Sequence, residues 1–320
     1  MSHKFESGLF FGERAWHGLG TTLPENHEAR KSVDESIKLA GLDWEVEKVD
    51  LFAKADADVT PYVKAPSHQA VVRTSDKSIL GVVGNRYQCL QNREQFQWFQ
   101  PFLDSGECVF ETCGSLKGGA LVWVLAKLCR DDIDVGGGDT VRKYLLLSSS
   151  HDGSQATQVG FNPIRVVCWN TLSAALRSGG KSMLKIRHTA NQGNALAEVR
   201  KTINLIDQSF EATAVQYRRL AAAGVNKSDL RKYVKIVLEL PEDEKAISTR
   251  QKNIVDEIVK LCVGGVGNDG KSAWSAYNGL TQYVTHNYGR TAENRLRAAW
   301  YGEGRKLIDR GLEVALQLAS

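Results

Sequence analysis

One segment of the sequence matches the pattern of a phosphate-binding loop. Residues 265–272, Gly-Val-Gly-Asn-Asp-Gly-Lys-Ser, fit G-x-x-x-x-G-K-[ST]. In such a loop backbone N–H groups hold the phosphates, the lysine reaches the terminal ones and the hydroxyl binds Mg²⁺. A nucleotide hydrolase would therefore use Lys271 and Ser272 in these roles. The alternative is a coincidental match within a connection between two helices.

The residues around this segment favour the coincidence. A phosphate-binding loop follows a buried strand, but the apolar residues between Ile254 and Cys262 recur with helical spacing. A candidate for the acidic motif of such hydrolases, at residues 236–240, precedes the loop, which is an unusual position for it. The loop also lies near the end of the 320-residue chain, whereas such loops usually open their fold. We therefore predict no nucleotide hydrolysis.

The other reactive side chains form no recognised catalytic or metal-binding pattern. The seven histidines are scattered without metal-ligand spacing, and neither G-x-S-x-G nor H-E-x-x-H occurs. The six cysteines have irregular gaps and no C-x-x-C pair, which indicates free thiols in a reducing compartment. The sequence predicts no metal and no cofactor, and it favours a binding protein over an enzyme.

Positive charge is concentrated in the C-terminal part of the chain. Residues 181–320 contain 22 Lys and Arg against 15 Asp and Glu, whereas residues 1–180 contain 19 against 22. The densest basic stretch, residues 177–188, holds four Lys or Arg and no acidic residue among glycines and serines. A flexible basic loop can follow a phosphate backbone, because each neutralised phosphate releases counterions. The alternative is a solvated helical surface rich in Lys and Arg.

A second candidate set lies nearer the C-terminus, where aromatic residues alternate with arginines. Single-strand binding sites use this combination, aromatics to stack on bases and cations to contact phosphates. The set is Tyr283, His286, Tyr288, Arg290, Arg295, Arg297, Trp300 and Tyr301. The alternative is that the aromatic side chains form the buried faces of helices, and we favour it for Trp274, Tyr277 and Trp300.

Two kinds of secondary structure must position these residues. We predict an α+β fold, a mixed antiparallel sheet with interspersed helices followed by a helical C-terminal region. The predicted parts are an N-terminal arm with a short helix (1–45), a sheet core (46–190) and a helical region (191–320). Predicted hairpins pair 69–73 with 79–83, 107–113 with 120–128, and 141–149 with 157–168, and the glycine-rich residues 131–139 are predicted to form a loop.

The helical region begins with apolar residues that alternate spacings of three and four between Leu196 and Leu220. This stripe is either a self-association seam or a long helix packed on its own domain, and we favour packing. Further helices are predicted at 228–240, 244–262, 272–287 and 291–318. The sequence has neither an apolar run of membrane-spanning length nor an N-terminal apolar stretch typical of a signal peptide, so we expect a cytoplasmic protein.

Several short motifs, in order along nearly the whole chain, resemble the phage/plasmid-like protein family, long described as a domain of unknown function. They are residues 16–21, 83–87 with 91–92, 166–172, 185–189, 273–274, 281–286 and 294–295, which read WHGLGT, VGNRY with QN, VVCWNTL, KIRHT, AW, TQYVTH and NR. The resemblance implies a phage or mobile-element setting, and hence a bacterial host cytoplasm. It implies no catalytic activity, and it further disfavours a nucleotide hydrolase.

The order of hairpin, helix and further strands between Val71 and Leu128 is similar to a unit of phage single-strand annealing proteins and of the Rad-fifty-two-type annealing rings. This similarity is an analogy at the level of fold. It implies an ATP-independent protein that binds single-stranded DNA as a homo-oligomeric ring or filament and promotes annealing or recombination. The second alternative is a host-interaction protein, a defence or anti-defence factor, whose basic surface is incidental.

The expected DNA contacts follow from the basic stretch and from the sheet. We expect phosphate contacts from Arg165, Arg177, Lys181, Lys185 and Arg187, secondary contacts from Arg73, Arg86 and Lys143, and base stacking by Tyr87 and Trp169.

Overall fold

The computed structural model describes residues 6–12, 20–54, 62–165, 167, 170–171, 183–186 and 210–320, with backbone alone for 183–186. Its strands are β1 Ser7–Phe11, β2 Thr21–Leu23, β3 Val46–Lys54, β4 Tyr62–Arg73, β5 Ile79–Gly84, β6 Cys108–Leu116, β7 Leu121–Leu128, β8 Ile133–Gly136, β9 Asp139–Arg142, β10 Tyr144–Ser150, β11 Thr157–Phe161, β12 Ile164–Arg165 and β13 Met183–Ile186. Its helices are α1 Val33–Leu39, α2 Asn92–Phe96, α3 Gln100–Asp104, α4 210–222, α5 Lys227–Val237, α6 Thr249–Gly264, α7 Ala273–Gln282, α8 Ala292–Tyr301 and α9 Glu303–Leu318. Short turns of 3₁₀ helix at Glu28–Lys31, Gln97–Phe99 and Glu244–Ala246 and a π-helical turn at Tyr283–Asn287 complete the described elements.

The centre of the fold is a seven-stranded sheet with the order β13-β11-β10-β7-β6-β1-β2. All neighbouring strands in it are antiparallel except β1 and β2, which are parallel. Its central strands β7 and β10 are buried almost throughout and read as nearly continuous apolar runs, the pattern of strands covered on both faces.

Helices cover both faces of this sheet. On one face Phe110 of β6 packs edge-on against Phe99 of the Gln97–Phe99 turn, with ring centroids 5.8 Å apart. On the opposite face Trp123 of β7 packs edge-on against Trp300 of α8 at 5.1 Å. Successive side chains of a strand point to opposite faces, so the N-terminal helices and the C-terminal helices lie on different sides. One continuous apolar core joins the sheet to α4–α9.

A second sheet, with the order β3-β4-β5, lies beside the main one. Its inner end is held by a small apolar cluster of Val46, Val71 and Val83. The outer part of the β3–β4 hairpin extends past this cluster, and its residues from 52 to 54 and 62 to 64 are exposed on both faces. The hairpin therefore forms a ribbon that the described part of the chain does not cover.

The C-terminal helices have the boundaries that their capping residues predict. Ser248 caps α6 in a reciprocal arrangement with Gln251, Ser272 caps α7 through the backbone N–H of Ser275, and Thr291 caps α8. Side-chain oxygens at these positions satisfy N–H groups that the first helical turn leaves without partners. Consecutive helices are therefore separated by short connections, and residues 265–272 form one of them.

The predicted α+β class is confirmed, and so are most of the predicted elements. The hairpins β4–β5 and β6–β7 and the first three C-terminal helical segments lie near the positions that the sequence predicts. The fourth predicted helix, 291–318, is divided at Gly302 into α8 and α9. In α4 the side chains of Phe210, Thr213, Tyr217 and Leu220 are buried, so this part of the apolar stripe packs within its own domain. The rest of the stripe, from Leu196, lies outside the described residues.

Two expectations about local structure are wrong. Residues 131–139 are not only a loop, because β8 and β9 pair there as a small hairpin, with Gly136, Gly137 and Gly138 at positive φ in its turn. Residues 7–11 of the predicted N-terminal arm instead form β1, a strand of the main sheet that pairs with β6. The run of three glycines at residues 136–138 thus lies at the turn of the β8–β9 hairpin, where the backbone needs positive φ.

Candidate nucleic-acid interface

The basic stretch at residues 177–188 includes β13, a strand at one edge of the described main sheet. β13 pairs with β11, with Lys185 opposite Gln158, and it is the end strand of the described sheet order. Of the predicted contacts in this stretch, only the backbone of Lys185 is described. Arg177, Lys181, Arg187 and the stacking candidate Trp169 lie outside the described residues.

Arg165 in β12 is not available for a phosphate, which corrects its predicted role. Its side chain is 2% exposed, and it pairs with Asp139 of β9 at 2.5 Å. Its Nη1 donates to Asn268 Oδ1 at 2.8 Å and to the carbonyl of Val266 at 3.2 Å, and its Nη2 donates to the carbonyl of Gly267 at 2.7 Å. A guanidinium has a fixed set of donors, and these contacts engage Arg165 internally.

Arg73 is also held inside the protein. It is 7% exposed and forms ion pairs with Glu6 at 2.6 Å and with Asp76 at 2.9 Å. Its guanidinium lies 5.1 Å from the ring centre of Trp44, a cation–π distance. Arg73 therefore joins β1, the β4–β5 turn and the segment before β3. We exclude it from the DNA contacts.

Tyr87 and Lys143 each contact a neighbouring residue. The Tyr87 hydroxyl donates to the carbonyl of Ser150 at 2.8 Å, and burial of the ring raises the pKa of Tyr87. The Lys143 ammonium lies 4.0 Å from the ring centre of Phe210, so α4 covers part of this side chain. Arg86 is exposed in the turn after β5. Among the predicted contact residues whose side chains are described, Arg86 is thus the one best suited to a solvent-facing contact.

The phosphate-loop match at residues 265–272 has the wrong geometry for a nucleotide. It follows helix α6 rather than a strand, and the carbonyls of Val266 and Gly267 point at Arg165. A phosphate requires N–H groups in this position. Asp269 accepts from the backbone N–H of Lys271 at 3.0 Å, and the Ser272 hydroxyl caps α7. These contacts agree with a helix–helix connection.

The family-like motifs at residues 166–172 and 281–286 meet in a buried polar network. Asn170 donates to the carbonyl of Asn278 at 3.3 Å and to the hydroxyl of Thr281 at 3.2 Å. His286 contacts the Asn170 side-chain oxygen at 3.1 Å. Trp300 donates to the Thr171 hydroxyl at 3.2 Å. Buried polar groups need such partners, so these motif residues join the sheet region to the C-terminal helices.

The aromatic side chains of the second candidate set pack against the core. Trp300 is 6% exposed and Tyr283 is 8% exposed, and Tyr288 and Tyr301 are partly buried against the same core. The neighbouring Trp274 and Tyr277, for which burial was also favoured, are 5% and 0% exposed, and Trp274 donates its ring N–H to Asp139 at 2.7 Å. The aromatic side chains of this set therefore do not offer an open stacking surface.

One exposed surface was missed by the sequence analysis. In the β3–β4 ribbon Phe52 lies directly opposite Lys64, and Lys54 lies directly opposite Tyr62. Residues directly opposite in antiparallel strands share a face, as do residues two apart in one strand. We call these four side chains the ribbon face. Phe52 and Tyr62 are 53% and 60% exposed, and the alternation of aromatic and basic residues within two short strands was the available signal.

In the described ranges no group of three or more His, Cys, Asp or Glu side chains is placed to hold a metal ion. No helix among the described residues is both long and apolar enough to cross a membrane.

Comparison with known proteins gives one match. The domain of unknown function DUF932 matches residues 79–300, which is more than half of the 320-residue chain. The match begins at β5 of the second sheet and takes in β6 to β13 and the chain through all but the last residue of α8. No curated protein and no solved structure matches the chain.

Proposed function

The chain belongs to the DUF932 family, and we propose that it binds single-stranded DNA without hydrolysing a nucleotide. The observation that carries the proposal is the position of the basic stretch at residues 177–188. The stretch has four Lys or Arg residues and no acidic residue, and its residues 183–186 form β13, the end strand of the described main sheet. A basic stretch of sequence that includes an edge strand is suited to follow a phosphate backbone.

The ion pairs of Arg165 and Arg73 within the protein reduce the set of proposed phosphate contacts. Arg165 and Arg73 are themselves buried and paired with carboxylates, so the proposed phosphate contacts are Arg177, Lys181, Lys185 and Arg187. Arg86 adds an exposed cation on the second sheet. Independence of ATP is supported by the loop at residues 265–272, whose carbonyl oxygens face a guanidinium. This geometry also disfavours the alternative of a hydrolase that uses Lys271 and Ser272.

The proposal includes a homo-oligomer that promotes annealing or recombination of phage or plasmid DNA, as a ring or a filament. Negative-stain electron microscopy with and without single-stranded DNA tests this part. Rings or filaments in either sample would support it, and isolated monomers in both would contradict it.

Binding itself is tested by fluorescence anisotropy with a labelled oligothymidylate across a range of salt concentrations. We expect binding that weakens steeply with salt, has little sequence preference and is unchanged by Mg²⁺-ATP, because phosphate contacts dominate such sites. Absence of binding at low salt would refute the proposal and leave the host-interaction alternative. Binding that requires ATP would refute its nucleotide independence.

A further inference from the structure

The ribbon face presents two aromatic rings to solvent at a spacing suited to separate bases. Phe52 lies opposite Lys64 and Tyr62 lies opposite Lys54, so the two aromatic residues occupy diagonal positions. Diagonal neighbours across antiparallel strands are about 7–8 Å apart. Both rings are more than half exposed, so their faces are open to a ligand.

Two lysines, Lys54 and Lys64, lie beside these rings in the described part of the ribbon. Lys54 is exposed and has no ion pair with a described residue, and Lys64 is paired with Asp50 at 2.6 Å on the surface, where both partners are about half exposed. At the base of the ribbon the Lys48 ammonium donates to the carbonyls on either side of Arg86. Asp50 is the one acidic side chain among these neighbours in the described part of the ribbon.

The two faces of the ribbon differ in character. Ala53 and Val63 lie opposite each other on the face away from the aromatic–lysine set, and Val63 is 53% exposed. An apolar protein partner would be served equally by either face. Positive charge interleaved with aromatic rings occurs on one face alone, and this combination is complementary to a single nucleic-acid strand, which offers both phosphates and unstacked bases.

We propose that the ribbon face is a second contact surface for single-stranded DNA, in which Phe52 and Tyr62 stack on two bases while Lys54 and Lys64 contact flanking phosphates. The proposal rests on the proposed function and adds to it a surface outside the basic stretch at residues 177–188. All four residues of the ribbon face precede the family match at residues 79–300.

The test measures binding of a labelled oligothymidylate by anisotropy for Phe52→Ala and Tyr62→Ala. Each change should weaken binding by roughly 5- to 140-fold, the value of stacking on one base. Phe52→Tyr should retain binding because the ring is kept. Val63→Ala is the matched control, since it removes an equally exposed apolar side chain from the other face and should leave affinity unchanged.

The lysines are tested through the salt dependence of the same binding. Joint replacement of Lys54 and Lys64 by Gln should reduce the slope of log K against log salt by about 1.4, because each single-strand phosphate contact contributes about 0.7. Asp50→Asn should tighten binding, because it removes the carboxylate that competes for Lys64. Lys77→Gln, an exposed change in the turn between β4 and β5, is the control and should leave the slope unchanged.

The outcomes separate this inference from the proposed function. If the native protein binds no single-stranded DNA, the proposed function fails and this surface fails with it. If the native protein binds and the Phe52 and Tyr62 variants bind equally well, the ribbon inference alone is overturned. A changed oligomer mass in these variants at unchanged DNA affinity would assign the ribbon face to a second copy of the chain and would also overturn the inference.

Discussion

The role of Arg165 provides a quantitative test of the structure. Arg165→Met keeps most of the aliphatic volume but removes the guanidinium. The change removes the ion pair of the Asp139 carboxylate, whose side chain is 15% exposed. This carboxylate then keeps the hydrogen bond from the Trp274 ring N–H. It also removes the contacts to Asn268 and to the carbonyls of the 265–272 loop. Breaking a buried ion pair in this way costs about 3–5 kcal/mol of unfolding free energy.

The expected shift in thermal midpoint follows from chain length. With an unfolding entropy of about 2.1 cal/mol/K per residue, a chain of this size should lose about 4–8 °C. Differential scanning calorimetry measures this shift. Arg93→Met is a matched control, because Arg93 and Asp34 are also 2.5 Å apart but have 68% and 48% exposed side chains. An exposed pair contributes about 0–1 kcal/mol, so the control should shift little.

A second substitution tests the assigned cause. Adding Asp139→Asn to Arg165→Met should recover part of the lost stability, because it removes the unpaired carboxylate. DNA affinity of Arg165→Met, measured well below its thermal midpoint, should equal that of the native protein. The reasoning would be refuted if Arg165→Met were as stable as Arg93→Met and bound DNA with a reduced salt slope, since Arg165 would then contact phosphate.

Three further predictions address the loop, the thiols and the turn between β4 and β5. Lys271→Ala should change the unfolding free energy by less than about 0.5 kcal/mol, and calorimetric titration should detect no Mg²⁺-ATP binding before or after the change. Burial raises the pKa of the Cys113 thiol to about 12. Alkylation of the native protein, followed by mass spectrometry, should therefore label the exposed Cys129 well before Cys113. Equal labelling of the two thiols would contradict the packing of β6. Hydrogen bonds from Ser78 lower the pKa of Asp76 from 3.8 to about 2, so the Asp76 carboxylate stabilises the fold above its unfolded-state pKa and this contribution is lost as pH falls through about 2. Asp76→Asn should therefore lower the urea midpoint at neutral pH, and a difference that persists unchanged at pH about 2 would be inconsistent with this cause.

The elements that the sequence predicted are those with a strong local signal. The helical spacing before residue 265 correctly placed a helix there and so indicated a helix–helix connection. The strands on either side of the β4–β5 turn contain alternating or continuous apolar residues bounded by polar turn residues, and so do the strands β6 and β7. These signals depend on neighbours within a few residues, so they can be read without knowledge of the tertiary fold.

The site residues depended on distant pairings and were harder to predict. Arg165 stands in an apolar strand, and that setting was a signal of burial because an arginine there needs a partner. Its partner, Asp139, follows a glycine run that was interpreted as a loop, and the pairing of β9 with β12 brings the two together. The ribbon face was missed because Phe52 and Tyr62 become neighbours only through the register of β3 and β4.

The central claim is that the basic stretch at residues 177–188 binds single-stranded DNA through its charges. The most direct measurement compares the salt slope of the native protein with that of a variant in which Arg177, Lys181, Lys185 and Arg187 are all Gln. We predict a slope smaller by about 2.8, because each single-strand phosphate contact contributes about 0.7.

The control variant makes the same charge change elsewhere. It replaces four exposed lysines of the helical region by Gln, and its slope should match that of the native protein; these lysines are Lys227, Lys232, Lys245 and Lys260. An equal loss of slope in both variants would mean that net charge alone drives binding. An unchanged slope in the 177–188 variant would contradict the account.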